Sequence, residues 1–396
     1  MSDGALSVSL PAQAQSHGDL KGAWRSRLRT WTMVFALFAI WGVFQWATDG
    51  SFLEPRNLSN LFRQMAVTGV LATGMVLVIV AGHIDLSVGS AAAVIGALLS
   101  ILTTNYGWDP TLAFLAALGA GALIGLAQGF LTSYQRIPAF IVTLGGMMAL
   151  RGMSMGVTEG ITIPLGENWI QTMGSAYFPT SWGYGLAIIV SGWFAWTKIR
   201  SSNMRKNYGL PTPSSWALMG QLGAVGALVF AFVVLMNAYQ GIPVPVLVML
   251  GLTFAFHGVA TRTVFGRHVY AIGGSIEAAR LSGINVRSRI LWVFVFMGAL
   301  TAVAATVLTA RVGSASPDAG QLLELDAIAA CVIGGTSLMG GRGSVLGAIL
   351  GALVMESLNN GMSLANMEAF WQYVVKGSVL VLAVWVDVLS QGKTTR

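Results

Sequence analysis

Few side chains in this 396-residue chain can do chemistry, and where they stand is informative. Asp85, Arg151, Glu356 and Lys376 lie within or beside long apolar runs, where an ionisable group is costly and marks a function or a partner. Asp85 sits in Gly82-His83-Ile84-Asp85-Leu86-Ser87, a polar break in the apolar stretch from Val76 to Ser90. In such a break an aspartate either caps the helix that follows or faces a water-filled path, and Ser87 beside it adds a hydroxyl for either role. Arg151 and Glu356 each fall twelve residues past the start of their apolar segments, at Ala139 and Ser344. At 1.5 Å per residue both stand about 18 Å along their helices. Equal depth predicts an ion pair or a shared polar network, with Asp326 as another possible partner.

Enzymatic chemistry is not indicated. No Gly-x-x-x-x-Gly-Lys-Ser/Thr phosphate loop occurs, so the chain does not bind ATP by that route. His17, His83, His257 and His268 are scattered and form no metal-ligand spacing with the sole cysteine, Cys331. No Ser/His/Asp constellation can be assembled. Cys331 lies in an apolar run and is expected to be buried, and alone it excludes an intrachain disulfide. A proton- or sodium-driven carrier would show more ionisable groups inside its spans; this poverty suits a neutral, hydroxyl-rich solute.

The second distinctive stretch, Arg267–Arg289, is a polar, basic island between apolar runs that end near Ala260 and resume at Ile290. Ser275-Ile276-Glu277-Ala278-Ala279-Arg280-Leu281-Ser282 predicts one or two helical turns, with Ser275 as cap and Gly283 as stop. Ala278 and Ala279 offer small surfaces that fit a groove, while Glu277 and Arg280 can pair with a partner or cap the helix. A short helix spent on the face of a membrane protein is a docking element; the alternative is a solvated loop that obeys the positive-inside rule.

The elements that position these residues follow from composition. Hydrophobic residues make up 55% and charged residues only 9%, against ~25% charged in soluble domains. Apolar runs of seventeen or more residues recur, long enough to cross ~30 Å of hydrocarbon as helices. They are continuous rather than alternating, which excludes a β-barrel. The fold class is an all-α polytopic membrane protein with about twelve transmembrane helices, expected near 31–48, 59–81, 86–104, 111–134, 139–157, 182–197, 214–236, 246–261, 290–310, 327–340, 344–360 and 371–388. The run Asp326–Met339 is short and ends in Gly334-Gly335 and Gly340-Gly341, so it is expected to be irregular. Glycines at 343, 347 and 351, and at 121 and 125, predict close helix–helix packing.

The net charge of +7 reflects orientation rather than nucleic-acid binding. Basic residues cluster at Lys21–Arg29, Arg136, Lys198–Lys206, Arg262–Arg289, Arg342 and the C-terminus, whereas most carboxylates, Glu324 among them, lie elsewhere. This places both termini and the loop 262–289 in the cytoplasm. Residues 1–30 lack a signal-peptide core, so Trp31–Ala47 is an uncleaved first span. The organisation is a cytoplasmic tail (1–30), one transmembrane domain (31–390) and a short cytoplasmic tail (391–396).

Taken together, several motifs become specific. Gly82-His83-Ile84-Asp85-Leu86-Ser87-Val88-Gly89 resembles a signature of bacterial monosaccharide importer permeases of the ATP-binding cassette class, with His83 in place of the usual glycine. Gly273-Gly274 followed by Glu277-Ala-Ala-Arg-Leu-Ser-Gly-Ile-Asn-Val286 is similar to the family's ATPase-docking loop, and Glu324–Ala330, Gly334–Leu338, Gly340-Gly341 and Leu358-Asn359-Asn360-Gly361-Met362 match later blocks in the same order. The resemblance covers about residues 55–388. Ribose permeases resemble the chain without the stretch near 175–240, which supplies two extra spans; the longer build is similar to D-xylose permeases. The resemblance implies an inner-membrane homodimer with a fold like that of vitamin B12 importers, a cytoplasmic ATPase that binds the ATP and magnesium, and a periplasmic sugar-binding protein. It implies no cofactor in this chain, lipid around it, and a sugar path at the dimer interface near the broken spans, for which His83, Asp85, Ser87, Asn359 and Asn360 are candidates. An autonomous secondary carrier, or a permease for a nucleoside or branched-chain amino acid, is the alternative.

Overall fold

The structure, a computed structural model, describes residues 33–212 and 214–391. The expectations for the N-terminal tail, for Trp31 and Thr32, and for Lys393 and Arg396 lie outside the described residues. Each expected span contains a helix, the one at 327–340 only as far as Ile333: α1 (Met33–Ala47), α2 (Pro55–Val80), α3 (Val88–Ser100, extended by a π-helical turn Ile101–Asn105), α4 (Pro110–Ser133) and α5 (Ala139–Thr158). A short α6 (Trp169–Ser175) precedes α7 (Thr180–Asn207), α8 (Ser215–Asn237) and α9 (Val244–Arg262). The polar island folds as α10 (Val264–Gly274) and α11 (Ile276–Leu281), followed by α12 (Val286–Val312), α13 (Leu323–Ile333), α14 (Val345–Leu364) and α15 (Ala369–Gln391). Among the described residues, eight helices are long and apolar enough to cross a membrane, and the protein is an all-α polytopic membrane protein.

Local sequence explains most boundaries. Prolines at the starts of α2, α4 and α9 leave no amide unpaired, since a first-turn N–H has no helical acceptor. Asp109 caps α4 by accepting from Thr111 N at 2.8 Å. At the end of α2, Gly82 takes φ +83°, while His83 N donates to Val78 O at 3.0 Å and Gly82 N to Ile79 O at 2.9 Å. This left-handed stop is available because glycine has no Cβ. The expected break between the second and third spans is therefore real.

The helix α2 is the hub, buried along nearly its whole length against α9, α12, α13 and α14. Small residues set the closest crossings, as the glycine spacing predicts. A Cβ on Gly121 would stand 2.4 Å from Gly298 O, and one on Gly125 would stand 2.2 Å from Phe294 O, so α4 and α12 touch backbone to backbone. The same holds where Gly347 meets Gly334 and Gly351 meets Ala330. By contrast, α13 has 11 residues, about 16 Å of helix, and the turn at 334–344 completes its path.

Two-residue strands tie the loops of one face together. β1 (Ile163–Pro164) pairs with β4 (Ser314–Ala315), and β2 (Tyr177–Phe178) pairs with β3 (Ile242–Pro243), both antiparallel. Arg63 reinforces this face by donating to Gly174 O at 2.6 Å. The opposite face gathers 81–87, 134–138, 263–285 and 334–344. The chain thus alternates between the two faces.

Candidate functional site

The candidate docking element is built from its caps. Thr263 Oγ1 accepts from Gly266 N at 3.1 Å to start α10, and Ser275 Oγ accepts from Ala278 N at 3.2 Å to start α11. Gly283, at φ +80°, ends α11 as Ile284 N donates to Ala279 O at 3.1 Å and Gly283 N donates to Arg280 O at 3.0 Å. Both ends of a six-residue helix are fixed, so its exposed face is presented in one orientation. Leu281 is 85% exposed and Ile276 45% exposed, with Glu277, Ala278 and Arg280 also facing out. Ala279 corrects the sequence expectation: it is 3% exposed and packs into the core of this chain, because the helix turns that face inward. The projecting apolar group is Leu281, a member of the same sequence block.

The element is seated on the end of α2 through glycines. A Cβ on Gly273 would lie 1.7 Å from Val80 O and 2.5 Å from Gly341 N, whereas one on Gly274 would meet nothing within 4 Å. Gly341 N donates to the same Val80 O at 2.9 Å, and Tyr270 donates its hydroxyl to Gly343 O at 2.8 Å. Docking helix, broken-span turn and the 334–344 turn therefore form one joint.

Asp85 lies just beyond that joint and is 3% exposed. Its Oδ1 accepts from Ser87 N at 2.9 Å and from Ser87 Oγ at 2.7 Å, and Ser87 Oγ accepts from Gln128 Nε2 at 2.7 Å. Its bonds go to Ser87, ahead of α3, rather than to amides inside the helix, so the expected helix cap is instead a turn lock. Gln128 was not legible in sequence, because only packing of α4 on α3 brings it there. His83 is half-buried, with its ring 6.1 Å from that of Phe294 and no hydrogen-bond partner at Nε2.

The remaining candidates lie elsewhere. Asn360 accepts from Asn57 Nδ2 at 2.9 Å, and Asn359 Nδ2 donates to Asp326 Oδ2 at 3.1 Å and to Glu356 Oε2 at 3.4 Å. Thr68 Oγ1 donates a short hydrogen bond to Glu356. These groups join α2, α13 and α14 in a buried network, apart from His83, Asp85 and Ser87. Arg151 and Glu356 do not pair: Arg151 Nη1 donates to Pro317 O at 2.8 Å and Ala319 O at 3.1 Å. The reason is lateral: α5 packs on α3 and α4, whereas α14 packs on α2 and α13. Asp326 pairs with Lys376 of α15 at 3.2 Å. Glu324 is also buried, against Gly89 and Gly320, and is no solvated loop charge. Cys331 is buried as expected.

Residues 57–384 match the family described as the permease component of branched-chain amino acid transport systems. The chain belongs to this permease family. It is 44% identical over 386 residues to the xylose transport system permease protein XylH of Escherichia coli K12, covering 96% of this chain and 98% of the relative. XylH of Haemophilus influenzae is 42% identical over 92% of this chain and 98% of its own. The ribose import permease protein RbsC of Bacillus subtilis is 37% identical over 85% and 86%. No solved structure matches the chain at a significant level.

Proposed function

We propose that this chain is the transmembrane subunit of an ATP-driven pentose importer, with D-xylose as substrate. What carries the reading is the docking helix: a doubly capped, six-residue helix with Leu281 85% exposed on the loop face of a sugar-permease homologue. A membrane protein gains nothing from a rigid, water-facing leucine unless a partner covers it. The partner is the cytoplasmic ATPase, which binds ATP and magnesium, so this subunit is not itself an enzyme. Xylose is favoured over ribose because the XylH relatives align through nearly the whole chain, whereas the ribose relatives align over less of it.

In this reading the protein sits in the bacterial inner membrane with about twelve crossings, both termini cytoplasmic, in a fold like that of vitamin B12 importers. A second copy completes the path, and a periplasmic sugar-binding protein delivers substrate. The broken span supports a path beside α5, since Thr143 of α5 donates to Ile84 O at 3.2 Å while Met148 and Met153 of the same helix face outward. Leu281→Asp, Ala278→Trp and Gly283→Val are expected to insert normally, lose ATPase on co-purification and lose D-xylose uptake in cells. Full ATPase retention with normal uptake in all three would make this loop a plain connector.

A further inference from the structure

The docking face also holds a cavity of about 820 Å³, bordered by Ile276 and Arg280 of the short helix and by His83 of the broken span, whose basic lining sugar transport does not explain. It lies between the 134–140 segment, the broken-span turn and the start of α12, and falls within the ~300–1,000 Å³ range of small-molecule sites. Arg136, Arg280 and Arg287 line it together with His83, and no carboxylate does. None of the three arginines has an ion pair among the described residues. The helices α5 and α12 begin at the cavity while α2 and α4 end there, so their dipoles offset and the arginines set the sign.

A second observation points to a ligand. Thr132, 8% exposed, lines the cavity with its hydroxyl unpaired, as does His83 with Nε2 unpaired. Buried polar atoms are normally satisfied; both atoms are closed off here, and a small side-chain rotation would turn them to a molecule held by the arginines. A neutral sugar leaving the path would need no arginine, let alone three. Guanidinium forks match phosphate oxygens, and Thr132 and Asn285 match hydroxyls or further oxygens.

We propose that this cavity binds an organic phosphate: a phosphate ester held by Arg136 and Arg287, with its polar remainder toward Thr132. Two sources share that chemistry, a soluble sugar-phosphate-like monoester and the headgroup of an anionic phospholipid in the same leaflet. The site requires neither the xylose assignment nor a bound ATPase, so it can be tested on the permease alone.

Purified permease is placed in nanodiscs of phosphatidylcholine and its thermal unfolding followed at fixed ionic strength, with ribose 5-phosphate or ribose as probe. A parallel set uses phosphatidylcholine mixed with phosphatidylglycerol. A saturable rise in midpoint with ribose 5-phosphate, absent with ribose, assigns the site to a soluble phosphate. A rise only in the phosphatidylglycerol discs assigns it to a headgroup. In either case Arg136→Gln/Arg287→Gln should bind roughly tenfold or more weakly, since each arginine supplies a charge-assisted bond. Arg136→Lys, which keeps the charge but not the fork, should fall between and serves if the double variant is unstable. The proposal is overturned if neither phosphate moves the wild type, or if the variants respond equally. It is also overturned if they lose only ATPase co-purification, which would assign the arginines to docking.

Discussion

Replacing Gly273 by alanine tests the joint beneath the docking helix, and Gly274 beside it supplies the control. The added Cβ would stand 1.7 Å from Val80 O and 2.5 Å from Gly341 N. Both obstacles are backbone, so no rotamer change relieves the overlap. To restore a contact near 3.4 Å, α10 must move away by about 1.7 Å, or Val80 O must turn from Gly341 N. Either movement breaks or strains the 2.9 Å bond between Gly341 N and Val80 O. Losing that bond costs about 1–3 kcal/mol, and overpacking a further ~1–3 kcal/mol. Gly273→Ala should therefore lose about 2–6 kcal/mol, lower the unfolding midpoint by about 2–7 °C, and uncouple ATPase binding from uptake. Gly274→Ala meets open space and should be neutral or stabilise slightly, as alanine does in helices. The assay is paired: thermal unfolding of purified permease and D-xylose uptake in cells, for both variants. Wild-type behaviour of Gly273→Ala, or equal losses in the two, would refute the close approach.

Further outcomes follow from the buried contacts. Asp85→Asn keeps an acceptor for Ser87 N and should retain most uptake, whereas Asp85→Ala leaves the Ser87 amide and hydroxyl proton without their acceptor and should cost about 1–3 kcal/mol; equal uptake in both would remove the turn lock. Lys376→Met strands Asp326 without its cation and should destabilise by about 3 kcal/mol. Adding Asp326→Asn should recover much of that loss, and strict additivity in the double-variant cycle would show that the pair contributes nothing. Gly298→Val drives a side chain into Gly121 O, 2.1 Å from its Cβ, and should abolish recovery of folded permease on size-exclusion chromatography. Gly119→Ala, with nothing within 4 Å, should leave recovery unchanged.

Much of this protein is written locally. Hydropathy located most of the long helices, because an apolar run must satisfy its backbone within itself when no water is available. The break at 82–87, the stop at Gly283 and the cap at Ser275 were equally legible, since caps and left-handed stops depend on residues within one helical turn. The glycine pairs predicted close packing because only their spacing along one face matters. What the sequence could not supply was lateral position. Counted along their helices Arg151 and Glu356 fall at equal depth, yet one meets the carbonyls of 317 and 319 and the other meets Thr68. Ala279 turned inward and Leu281 outward, Gln128 reached Ser87, Lys376 found Asp326, and three arginines came to line one cavity. Rise per residue gives depth along a helix axis. Which helices are neighbours, and how each is rotated, depends on the simultaneous packing of all of them, and only the tertiary structure decides that.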